Sequence, residues 1–195
     1  MGYVSFVCSN PEPTPNWDRL FESAVGQDGH FTTKQAATAG YSPQLLIKYL
    51  KNGRVTRVRR GVYRIVHFPA SDHEDLATIW LWSAKAGVFS HETALMLLQL
   101  SDALPRKVNL TLPTGWAKRR FRVPTGVVLH HADVPKSQRV EIGSVPVTSA
   151  LRTLCDCVDA HVSPELIASA LKQARARGHI GAEDVKAIRA RARAA

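Results

Sequence analysis

The run Ser90-His91-Glu92 holds residue types that move protons, since imidazole and carboxylate groups serve as general acids and bases. It also opens an apolar stretch, Ser90 to Leu100, where Ser suits a helix N-cap and Glu92 suits the positive end of the helix dipole. The structural reading is preferred: a capped, packed helix start, from which His91 could still face a neighbouring domain. His130-His131-Ala132-Asp133 supplies metal-ligating types, but neighbours on a strand point to opposite faces and cannot easily share one ion. A surface strand end is expected there. The odd count of Cys8, Cys155 and Cys157, with a Cys-x-Cys pair in a helix-like stretch, argues against a disulfide framework, and two nearby thiols without a well-spaced His set make a poor zinc site. They read as small apolar residues of a chain in a reducing cytoplasm.

Gly143-Ser144 followed by Asp156 resembles a nucleotidyltransferase signature, in which Gly-Ser precedes a metal-binding pair of aspartates. Here the second acid is Asp159, and Thr148–Val158 has a helical pattern instead of the strand that would aim both carboxylates at one Mg²⁺. Phosphate-cradling Gly-rich loops, His-Glu-x-x-His, Gly-x-Ser-x-Gly and Glu-x-Lys are absent from the sequence. No catalytic residue, metal site or cofactor is expected.

Cations carry a stronger signal. The chain of 195 residues has a formal net charge of +10, a field that draws polyanions. Between Gln35 and Ser71 there is no Asp or Glu, while Arg54, Arg57, Arg59, Arg60 and Arg64 crowd a short β-rich stretch. Uncompensated cations repel one another, so folding alone does not favour them; forked Arg contacts to phosphate do. Just before them, Gln44, Lys48 and Lys51 gather on one face of a helix with Asn52 at its edge, opposite Leu45, Leu46, Tyr49 and Leu50. Gln and Asn can bond adenine in the major groove, and Lys can reach guanine or a phosphate. The first turn of that face carries only Gln44. Two further clusters, Arg106, Lys107, Lys118, Arg119, Arg120 and Arg122, then Arg175, Arg177, Lys186, Arg189, Arg191 and Arg193, stay open. Each is either a solvated surface or a contact for flanking DNA, another nucleic acid or an acidic partner.

The elements that must hold these residues can be read from periodicity and capping. A helix begins at Asn16 or Asp18 with Trp17, Leu20, Phe21, Ala24 and Val25 on one stripe, and ends at Gly26 and Gly29. Thr32 or Thr33 caps a short helix through Ala39. Ser42-Pro43 starts a third helix that Asn52-Gly53 stops. Val55–Arg59 and Val62–Val66 form a hairpin around Arg60-Gly61. That order is a winged helix-turn-helix. Phe68–Ser71 reads as a linker. Beyond it come helices over His73–Lys85 and Ser90–Leu100, strands over Lys107–Leu112 and Val127–His131, and a hairpin or meander around Pro113–Val147. Helices over Thr148–Val158, Pro164–Arg177 and Ala182–Arg193 close the chain.

The fold expected is therefore α+β, a winged helix-turn-helix followed by a mixed α/β domain. The limits are a loosely ordered lead-in over 1–15, a DNA-binding domain over 16–70 and a second domain over 71–195. With 45% hydrophobic and 22% charged residues the composition is that of an ordinary globular protein. No stretch approaches the roughly 20 apolar residues of a membrane helix, and no signal peptide is recognisable, so a cytoplasmic protein without a membrane partner is expected.

The block Phe31–Ile65, with Gly-Tyr-Ser-Pro, Asn-Gly and Arg-Arg-Gly-Val-Tyr, resembles the N-terminal domain of AbiEi-type antitoxins of type IV toxin–antitoxin systems. The likeness extends through Phe89–Leu95, Val108–Pro113 and Val147–Leu154, with Ser-His-Glu-Thr-Ala-Leu its most specific piece. The resemblance implies an N-terminal domain that binds repeats in its own promoter and represses the operon. It also implies a C-terminal domain that counters a nucleotidyltransferase-type toxin without a stable complex. On that basis Gln44, Lys48, Lys51, Arg57, Arg59 and Arg60 contact double-stranded DNA, and Arg54 and Arg64 join them from the hairpin reading. The alternative is a winged-helix regulator whose second domain senses a ligand or partner.

Overall fold

The computed structural model describes residues 14–102 and 104–194. Most of the expected lead-in over 1–15, and Cys8, lie outside the described residues. The fold is α+β, and the chain divides into two compact units between Glu74 and Asp75.

The first unit starts with α1, Trp17–Val25, whose cap Asn16 accepts a hydrogen bond from the Arg19 amide at 2.9 Å. Leu20 and Ala24 of its apolar stripe are buried, whereas Phe21 and Val25 remain 41% and 51% exposed. The helix thus buries a narrower face than its sequence offers. A three-residue strand, β1 (His30–Thr32), follows, too short to show alternation and created by pairing with a distant strand. Thr32 and Gln35 form a reciprocal capping box that starts α2, Thr33–Thr38. Ser42 accepts from the Leu45 amide and Pro43 occupies the first turn of α3, Pro43–Lys51. The antiparallel strands β2 (Val55–Arg59) and β3 (Val62–Ile65) complete a sheet of order β1-β3-β2. Leu20, Ala24, Phe31, Ala36, Leu46, Val55 and Ile65 meet in its core. Gly29 has φ +75, and a Cβ there would collide with the Phe68 ring that closes this core.

In the second unit a five-stranded mixed sheet of order β6-β5-β4-β8-β7 is built from β4 (Val88–Phe89), β5 (Val108–Leu112), β6 (Val127–His131), β7 (Arg139–Ile142) and β8 (Val145–Thr148). The pairs β5·β6 and β4·β8 are parallel; β4·β5 and β7·β8 are antiparallel. A hairpin or meander was expected around Pro113–Val147; within it β7 and β8 form a hairpin, while β6 pairs in parallel with β5. Residues 148 and 149 do not begin a helix: Thr148 ends β8, fully buried, and α6 runs Ala150–Asp159. The helices α4 (Glu74–Trp82) and α5 (His91–Leu97) pack Leu76, Ala77, Ile79, Ala94 and Leu97 with Phe89, Leu110, Leu112, Val145 and Val147 of the sheet. A second core joins α6 to α7 (Pro164–Ala176) and α8 (Ala182–Ala194) through Leu154, Cys157, Leu171, Ala174 and Ile188.

Candidate nucleic-acid interface

The helix α3 is amphipathic, and its two faces separate cleanly. Leu46 is buried, with Leu45, Tyr49 and Leu50 partly so. Tyr49 anchors the helix: it stacks on Trp17 at 5.8 Å, meets Tyr41 edge-on at 5.4 Å and carries the Arg54 guanidinium at 5.4 Å from its centroid. Burial, then the hydrogen bond with Tyr49, push the Tyr41 hydroxyl up to about 12, so this aromatic support stays neutral.

Gln44, Lys48 and Lys51 are exposed, and so is Ile47, at 52%. Positions 44, 47, 48 and 51 fall on one helical stripe. Ile47 carries no polar group to mark it in the sequence, but the spacing that groups the other three includes it. An exposed isoleucine amid polar neighbours offers a methyl surface beside hydrogen-bonding groups.

The hairpin brings in further cations. Strand β2 is an edge of its sheet, with Arg57 opposite Tyr63, and a bulge between Arg57 and Arg59 leaves Val58 exposed. Arg54, Arg57 and Arg60 are exposed and Arg59 is half-buried. Gly61, at φ +78, turns the chain into β3. Among the described residues, none of Lys48, Lys51, Arg54, Arg57, Arg59 and Arg60 makes an ion pair.

Arg64 does not join them. Its guanidinium donates to the Phe68 and Pro69 carbonyls at 2.9 and 3.2 Å and to Glu74 at 2.6 Å. Expected among the DNA contacts, Arg64 is here engaged by Glu74, which lies outside the acid-free stretch.

The proton-moving types are arranged differently from their sequence pattern. The Ser90 hydroxyl makes no capping bond; it accepts from Thr111 at 2.7 Å and lies 2.9 Å from Nδ1 of His91. His91 is buried in the left-handed region at φ +51 and stacks on His130, ring centroids 3.7 Å apart. His130 is therefore not a plain surface strand end: it is half-buried, its Nε2 3.0 Å from the Asn109 side-chain oxygen, while His131 points outward. Burial, then the neighbouring imidazole of His130, hold His91 down to about 4, and burial lowers His130 as well. Two neutral, stacked rings result.

Gly143-Ser144 forms the turn of the β7–β8 hairpin, with Gly143 at φ +58. Asp156 pairs with Arg152 at 2.7 Å and Asp159 with Arg191 at 2.6 Å, so the two acids are held apart by separate arginines. Cys155 and Cys157 are free thiols, and burial pushes Cys157 up to about 12. Among the described residues no group of three His, Cys, Asp or Glu side chains is gathered for a metal ion, and no helix is long and apolar enough to cross a membrane.

Residues 18–66 match the family described as "Transcriptional regulator, AbiEi antitoxin". The match runs from α1 to just beyond β3 and includes none of the second unit. No curated protein matches the chain significantly. Among solved structures, the crystal structure of the RV2827C protein from Mycobacterium tuberculosis is similar at 15% identity and a TM-score of 0.45, covering 94% of this chain and 85% of that one.

Proposed function

We propose that this chain is a DNA-binding antitoxin that represses its own operon, its first unit acting as a winged helix-turn-helix. One observation carries the reading. The exposed stripe Gln44, Ile47, Lys48 and Lys51 adjoins in sequence a hairpin whose Arg57, Arg59 and Arg60 have no carboxylate partner among the described residues. In this account α3 enters a major groove. Gln44 reads a base edge, Ile47 contacts a thymine methyl, and the lysines meet bases or phosphates. Arg54, Arg57, Arg59 and Arg60 brace the phosphate backbone, where guanidinium groups fork onto the oxygens. Gln44 being amide and not cation, the first turn supplies selectivity more than charge. The family match over residues 18–66 supports a regulatory role for this unit.

The second unit would supply the antitoxin activity, countering a nucleotidyltransferase-type toxin without a stable complex. Because the match stops at residue 66, a regulator whose second unit senses a ligand or partner is the competing reading. Nuclease protection of the DNA upstream of the gene tests the first half: wild type should shield a repeated sequence that Arg57→Ala/Arg60→Ala leaves open. Co-expression with the neighbouring toxin tests the second. Rescue of growth supports an antitoxin, and failure of rescue with intact protection leaves a plain regulator.

A further inference from the structure

A second cationic feature lies wholly within the second unit, and it differs in kind from the hairpin. After β5 the chain makes a 3₁₀ turn, Thr114–Trp116, pinned because Thr114 donates its amide and hydroxyl to the two oxygens of Asp133 at 3.1 and 2.6 Å. The turn fixes Trp116. Phe121 then meets Trp116 edge-on at 6.0 Å and Trp82 edge-on at 5.4 Å, so one phenyl ring bridges two indoles. The Arg119 guanidinium lies over Trp116, 4.2 Å from the ring centroid. Trp82, Trp116, Phe121, Arg119 and Arg120 line a hollow of about 430 Å³, within the ~300–1,000 Å³ of small-ligand clefts.

The charge is as one-sided as in the hairpin. No Asp or Glu occurs between Asp102 and Asp133. Lys118, Arg119, Arg120 and Arg122 are exposed, and among the described residues none is ion-paired. Aromatic walls favour a flat π-face, and unpaired guanidinium groups favour an anion. A duplex presents only its phosphates to such a surface, with its bases hidden in the stack. An unpaired nucleotide presents both at once.

We infer that the hollow between Trp82, Trp116 and Phe121 binds single-stranded nucleic acid, stacking an unpaired base on the aromatic walls while Arg119 and Arg120 hold the adjoining phosphates. This site is independent of the proposed duplex reading by the first unit.

The experiment uses the full chain carrying Arg57→Ala/Arg60→Ala, which weakens the hairpin as a competing site. Labelled, mixed-sequence single strands of about 12 nucleotides, a length within the usual span of stacking sites, are titrated by anisotropy as DNA and as RNA, with tryptophan emission followed in parallel. Single strands of either sugar should bind and quench tryptophan emission. Adding Arg119→Ala/Arg120→Ala should weaken binding about tenfold or more. The charge-matched pair Lys172→Ala/Arg175→Ala, on exposed positions of α7, should change it by no more than about twofold. Equal losses from both pairs would reduce the effect to net charge and overturn the inference. So would absence of single-strand binding, or equal duplex affinity without quenching. An acidic protein partner at this face would appear as absence of single-strand binding.

Discussion

Arg64 and Glu74 form an ion pair at 2.6 Å with side chains only 14% and 29% exposed, which takes one of the five hairpin-region arginines out of the cationic surface. The same guanidinium holds the Phe68 and Pro69 carbonyls, so it fastens the chain after β3. Arg64→Ala should therefore lower the unfolding free energy by about 1–3 kcal/mol and leave duplex affinity at 25 °C unchanged. Urea denaturation beside anisotropy separates the two. Arg64→Lys should not restore stability, because an ammonium cannot reproduce the forked geometry.

Arg57 and Arg60 predict the opposite pattern. Both are exposed and form no ion pair among the described residues, so Arg57→Ala/Arg60→Ala should leave the urea midpoint almost unmoved. The slope of log K against log salt should shrink by about 2 if each arginine neutralises one phosphate. A slope equal to wild type would place the backbone contacts elsewhere.

Ile47 gives a readout of sequence selectivity. Replacing thymine by deoxyuracil in the bound duplex deletes only methyl groups. Wild type should lose affinity by about 1 kcal/mol or more, and Ile47→Ala should lose none beyond its own deficit. If both proteins respond equally to deoxyuracil, Ile47 does not read the methyl.

The stacked pair His91–His130 makes the second unit sensitive to acid. The unfolded chain takes up a proton near the ordinary histidine value, whereas folded His91 refuses it until about 4. Falling pH therefore favours unfolding across the window from about 6.5 to about 4, and the stability present above that window is lost within it. Burial acts on His130 and His30 in the same direction. His91 alone accounts for at most about 3 kcal/mol. His91→Asn, which tolerates the left-handed backbone at this position, should flatten the pH dependence of the thermal midpoint. A wild-type midpoint constant between pH 7 and pH 4.5 would contradict the neutral stack.

Local chemistry made much of the first unit legible in the sequence. The cap at Thr32 or Thr33, the Ser42-Pro43 start and the Arg60-Gly61 turn each act over a few residues, and each stands where its residues indicate, with Thr32 as the cap. Strand β1 was not legible, because His30–Thr32 is a strand only through β3, some thirty residues on. The same holds for β4, two residues between helices, and for the parallel pairing of β5 with β6. The candidate interface was legible as charge and incomplete as geometry. Ile47 carries no charge to draw attention, and Arg64 carries one that Glu74 neutralises. The aromatic hollow was hidden for a different reason: Trp82 and Trp116 are 34 residues apart, and only the fold sets Phe121 between them.

The central claim, that the first unit reads duplex DNA, is tested most directly by anisotropy of the full chain with DNA from upstream of its gene against a scrambled duplex, at two salt concentrations. The account predicts tighter binding to the native sequence, a steep fall with salt, and loss of the preference in Gln44→Ala. Equal, weak binding to both duplexes at low salt would contradict it and leave the exposed face of α3 a solvated surface.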